Sequence, residues 1–208
     1  MVRKPDVTRE KLVHATVTSG PELYVEESIV SGAVLDDAKL EQLTLTESVL
    51  ENSSLQGAQV AEASITDCIV DRCTFTGAML YESSLNRVLI KATRFQGATL
   101  AESSLRDVHF SSSKLDDANF RFSKLEDVLF ENCEMSGCDF LGAELENVEF
   151  RNCNLTTAQF VSGKLEGVAF PGSTLEDLHI DKTSIENVTV SSEQALYLSG
   201  VLGLHIKD

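Results

Sequence analysis

Residue types able to do chemistry are present in this sequence, but their spacing assembles no familiar centre. The four histidines, His14, His109, His179 and His205, are isolated from one another and from any cysteine or carboxylate set that could bind a metal. His109 and His179 fall at outward polar positions and read as surface residues. The five cysteines, Cys68, Cys73, Cys133, Cys138 and Cys153, include no CxxC pair. An odd number fits a reducing compartment better than a disulfide framework. Cys133 and Cys153 lie 20 residues apart. The repeat described below makes that spacing compatible with a disulfide, or with two free thiols packed as small apolar groups. No glycine-rich phosphate loop, nucleophile elbow or HExxH occurs. The chain reads as a non-enzyme with no cofactor.

What recurs instead is surface character at a spacing of 20. Glu126, Glu146, Glu166 and Glu186 form one acidic series, and Glu62, Glu82 and Glu102 form another. Residues 125–208 hold 15 acidic against 4 basic residues. Such carboxylate columns are either a solubilising surface or a mimic of duplex DNA phosphates offered to a basic protein groove. A second series, Ile29, Val49, Ile69, Leu89 and Leu129, is apolar and outward, interrupted by His109. It would bind a partner protein, or be covered by the N-terminal segment. Phe122, Leu141 and Val161 suggest a smaller exposed patch on a neighbouring edge.

These columns need an architecture to align them, and the sequence supplies one. Every fifth residue from Val25 to Val190 is apolar, 34 consecutive positions without a miss. Two residues before each lies a lane of mainly small side chains, such as Ala33, Ala38, Ser48, Ser53, Ala58, Cys68 and Cys73. A period of five fits neither the helix nor the strand. It requires a chain that turns a corner every five residues, so that four corners close a square coil of 20. Residues n and n+20 should then stack at the strand spacing of ~4.8 Å. Val88, Val108, Val128, Val148, Val168 and Val188 make one such column. From Phe110 the central positions alternate Phe with Leu or Met, which predicts facing phenylalanine ladders in the core. Gly57, Gly77, Gly97 and Gly137 fall on one edge, where a turn with positive φ would sit.

Ala118-Asn119-Phe120-Arg121-Phe122, Cys138-Asp139-Phe140-Leu141-Gly142 and Cys153-Asn154-Leu155-Thr156-Thr157 resemble the repeat unit of the pentapeptide-repeat family. The resemblance implies an all-β, right-handed quadrilateral β-helix of about eight coils over residues 23–190. Residues 1–22 would form an N-terminal cap and irregular first coil. Residues 191–208 would form a capping helix and tail, with Ser191 and Gln194 as its capping box. Leu196, Leu198, Val201 and Leu202 are candidate contacts of a two-fold dimer through that end. The chain is also similar to the gyrase-interacting fluoroquinolone-resistance members, which are acidic rods that dimerise through their C-terminal caps.

Composition narrows the function further. The net charge of −16 opposes direct binding to nucleic acid or anionic membrane. No apolar run approaches the ~18 residues of a spanning helix, and no signal-peptide core is evident, so a cytoplasmic protein is expected. The reading is a protein-binding or scaffold module. The alternative is a DNA mimic that binds DNA gyrase or another topoisomerase.

Overall fold

A computed structural model describes residues 2–17, 20–182, 184–185 and 188–203. From Glu22 onward the chain winds as a solenoid of about eight turns, closed at its end by one helix, Ser192–Val201. Its strands pair in parallel with a constant offset of 20 residues. Leu85 pairs with Leu105, Leu105 with Leu125, Leu125 with Leu145, and Leu145 with Leu165. The residues at every fifth position point inward. Those from Val25 to Ile180 are buried, whereas Ile185 and Val190 beside the end are only partly so.

The core is filled by side chains, and the two ladders expected from the alternation are present. Phe110, Phe130, Phe150 and Phe170 stack in parallel along one wall at centroid separations of 4.8–5.3 Å. Phe120, Phe140 and Phe160 do the same at 5.0 and 4.7 Å. Rings of the two ladders meet edge-on at 5.5–6.4 Å, the geometry an aromatic quadrupole favours. Phe75 and Phe95 start a third wall, which passes to Leu115 and Met135 as the other ladders begin.

The small lane leaves room for the chain to turn inward. Its serines bond backbone, as when Ser48 Oγ donates to Thr46 O at 2.6 Å and accepts from Ser28 N at 3.1 Å. All five cysteines are free and buried. Burial pushes the Cys68 and Cys73 thiols up to about 11, and Cys138 higher still. They therefore stay protonated and inert at neutral pH.

Corners fall two residues after each inward residue, in the left-handed region. Gly57, Gly77, Gly97 and Gly137 do adopt φ of 63–70° there. Asp, Asn, Glu, Arg and Ser fill many other corners with φ near 50–60°. The structure thus tolerates more corner residues than glycine alone would suggest. At Gln42 and Glu62 the chain does not turn this way, and the strands Lys39–Thr46 and Gln59–Asp71 run through.

The N-terminus departs from an imperfect first coil. Only Val13–Ala15 pairs with the solenoid, against Ser28–Val30 and with an offset of 15. Residues 2–12 instead lie as a strap along the outside of the coils, interrupted by one 3-10 turn, Arg9–Lys11.

Candidate functional site

The strap settles the fate of the apolar column. Ile29 and Val49 are buried, and Ile69, Leu89 and Leu129 are half-buried. The column is therefore no open docking stripe: the chain's own N-terminus lies over it. Three tethers hold the strap. Arg3 N donates to Asp107 Oδ1 at 2.9 Å, Asp6 N donates to Asp67 Oδ1 at 3.2 Å, and Arg9 Nη2 pairs with Glu51 Oε2 at 2.6 Å. All three carboxylates are buried residues in the wall. Asp67 is also held by the guanidinium of Arg87, whose Nε donates at 2.7 Å. Sequence reasoning missed Glu51, Asp67 and Asp107, whose signal was acidic residues flanking an apolar column opposite a basic N-terminal segment.

Where the strap begins, a cleft of about 850 Å³ opens between Val2–Pro5 and the outer wall at Leu89, His109, Leu129 and Arg151. His109 is thus half-covered instead of a plain surface residue. Its Nε2 lies 3.3 Å from Glu131 Oε2, and burial lowers its pKa against the opposing pull of that carboxylate. His179 is exposed, as expected.

The tethers make the strap sensitive to acid. The hydrogen bond from Arg9, with the charges of Arg9 and Arg72, holds the Glu51 carboxyl below its ordinary value. The Arg87 hydrogen bond does the same for Asp67, helped by the N–H of Asp6. A lowered folded pKa gives stabilisation that is present above the ordinary carboxylate value of about 4 and lost as pH falls from there through the lowered folded value. Hydrogen exchange corrected for intrinsic rates should therefore show residues 2–15 losing protection as pH falls below about 4, before the coils do. Simultaneous loss in strap and coils would refute this ordering.

Glu126, Glu146 and Glu166 do stack in register on adjacent parallel strands. Glu186 lies outside the described residues. The column is not purely acidic, however. Arg106 is the coil before it and pairs with Glu126 at 2.7 Å. The same strands carry Lys124, Glu144 and Lys164, with Lys164 Nζ 3.2 Å from Glu144. Cations thus interleave with these carboxylates. Glu62, Glu82 and Glu102 are exposed along another column, which turns a corner from Glu82 onward.

The acidic run there ends at Phe122, which is 58% exposed and has a left-handed backbone, φ 57°. Its ring lies over Gly142, where an added Cβ would stand 2.5 Å from the ring. Phe122 N bonds Leu141 O, and Gly142 N bonds Val161 O. Of the expected patch only Phe122 is exposed, while Leu141 and Val161 on the coils beyond it are half-buried. Val161 also lines a groove with Ile180, Tyr197 and Val201 of the last coil and helix.

The helix closes the coil end. Its capping box forms as expected, with Ser191 Oγ accepting from Gln194 N at 3.2 Å. The Gln194 amide donates to Phe170 O and Ser173 O, both at 2.8 Å. Leu198 is buried on the core, so it is a plug and no dimer contact. Leu196 and Val201 face outward, and Leu202 is partly covered. The expected tail at Leu204 and Ile206, like His205, lies outside the described residues.

The family models agree with this geometry. The model described as "Pentapeptide repeat region" matches residues 63–140 and 103–180, more than half of the chain. The model described as "Pentapeptide repeats (8 copies)" matches residues 31–67. The chain is a pentapeptide-repeat protein. No curated protein matches its sequence. Among solved structures, this pentapeptide-repeat protein is similar to QnrB1, a plasmid-mediated fluoroquinolone resistance protein, in trypsin-treated form. The identity is 21%, covering 94% of this chain and 97% of that one, with a TM-score of 0.55. HetL of Nostoc sp. strain PCC 7120, involved in heterocyst differentiation regulation, is 18% identical over 76% and 87% of the two chains, TM-score 0.39. A pentapeptide repeat protein of the Arabidopsis thaliana thylakoid lumen is 20% identical over 62% and 72%, TM-score 0.30. At these identities the likeness establishes the fold alone. Among the described residues, no helix is long and apolar enough to cross a membrane.

Proposed function

We propose that this pentapeptide-repeat protein is a non-catalytic protein-binding module that uses its Phe122 corner. The observation that carries the reading is an exposed aromatic held in a left-handed backbone. That conformation costs a bulky residue roughly 1–2 kcal/mol, and Gly at the same corner would avoid it. The neighbours Leu141 and Val161 extend the contact, and exposed aromatics beside apolar residues are typical centres of binding energy. Two-fold pairing of the rods, on this reading, would use the outward side of the helix at Leu196 and Val201.

A second reading, a DNA mimic toward gyrase, draws on the in-register Glu126, Glu146 and Glu166. Interleaved cations weaken it. One experiment separates the two. Immobilised wild-type protein and a Phe122→Gly, Leu141→Asn variant are compared for capture of cellular partners and for inhibition of gyrase supercoiling. The binding-module reading expects a partner retained by wild type and lost at least tenfold by the variant, with an unchanged circular dichroism spectrum. Equal capture by both would sink it. Salt-sensitive gyrase inhibition that survives in the variant would favour the mimic.

A further inference from the structure

We propose that the strap occupies a groove built for an extended basic peptide, and that a partner segment of this chemistry binds there in place of it. This stands apart from the Phe122 corner.

The first support is register. Asp67 and Asp107 share one corner column, two coils apart. Two coils rise ~9.6 Å at the strand spacing. Arg3 and Asp6, whose N–H groups they accept, are three residues apart, and extended chain covers about 10 Å in that distance. An extended backbone laid along the axis therefore meets these two carboxylates with residues three apart. This matching uses main-chain donors, which any extended segment other than a proline-rich one possesses.

The second support is charge. The strap carries Arg3, Lys4, Arg9 and Lys11 against Asp6 and Glu10. Its seat presents the buried carboxylates Glu51, Asp67 and Asp107 beside an apolar floor, with Arg87 on Asp67 and Arg72 4.0 Å from Glu51 as the cations among them. Val2, Pro5, Val7 and Leu12 are the half-buried strap residues, while the residues between them are exposed. The seat thus takes apolar side chains at spaced positions and one basic side chain, Arg9, on Glu51, while the net positive charge of the segment faces the three carboxylates. The third support is length. The groove does not stop at the strap's start but continues as the cleft that reaches Leu129 and Asn147. Three tethers hold its eleven residues.

The probe is a fluorescein-labelled peptide of residues Val2–Leu12, read by anisotropy against the full chain. Arg9→Glu puts like charges at Glu51 and loosens the strap without touching the solenoid core. The loosened full-length variant is expected to bind the peptide at least tenfold more tightly than wild type. Adding Asp107→Asn should reverse that gain, and a peptide with its four basic residues changed to Glu should not bind. Asp6→Pro, which deletes one N–H donor and no charge of the seat, provides a second loosened chain should the first misfold. Binding no tighter than wild type by a folded loosened variant would overturn the proposal. So would equal binding of the charge-reversed peptide.

Discussion

Phe130→Ala is expected to destabilise the solenoid by about 3–5 kcal/mol, the range for removing a fully buried phenylalanine. Phe130 is 0% exposed and touches four other rings. It stacks between Phe110 and Phe150 and meets Phe120 and Phe140 edge-on. The surrounding walls are fixed by backbone ladders to the coils before and after, Leu129–Glu131 pairing with residues on both sides. Such a site cannot collapse inward, so the cavity persists and the cost lies toward the upper end. Phe130→Leu should cost much less, because Leu already fills equivalent inward positions on the other walls. Urea unfolding followed by circular dichroism checks both. A Phe130→Ala midpoint within error of wild type would show that the ladders do not hold the core.

Leu198→Asp is expected to open the C-terminal end. Truncating a buried leucine alone costs about 2–5 kcal/mol, and a buried carboxylate without a partner adds to that. Repeat arrays lose stability locally, since each coil contacts only its neighbours. The variant should therefore lose hydrogen-exchange protection in the last two coils while residues 60–130 keep theirs. Gln194 would be displaced with it, freeing the carbonyls of Phe170 and Ser173 to which it donates. Leu196→Asp, on the outward side, should leave protection unchanged and report only on pairing between molecules. Uniform loss of protection in Leu198→Asp would contradict a local plug.

Much of this was legible in the sequence because the solenoid is local and periodic. Val25 through Val190 specify coil length, register and the inward lane. The alternation from Phe110 specifies the ladders. The capping box at Ser191 and Gln194 needed no tertiary information. Leu198 was within reach too: it sits one helical turn after Gln194 on the same face, and the structure buries both. That the N-terminal segment covers the apolar column was one of the two readings open there, but the strap's path and tethers were not legible, since residues 2–12 carry no period and their partners lie 42 to 104 positions away. Nor was the dilution of the Glu126 column, because Lys124 and Lys164 belong to a different lane and meet it only through adjacency on the face. His109 and the apolar column changed character for one reason, which is that an outward side chain is exposed only where nothing lies over it.

The contact between Arg3 and Asp107 also imposes an order of events on the growing chain. Everything else in the solenoid can form as each new coil emerges and docks on the last. The Arg3 end of the strap cannot, because Asp107 is made 104 residues after Arg3. At ribosomal rates of about 5–20 residues per second, the N-terminus waits roughly 5–20 s for that seat. During this interval the Glu51 and Asp67 tethers can already form, but the wall at Leu89 stands bare on the ribosome, and whatever is nearby with the right pattern meets it before Arg3 is fixed.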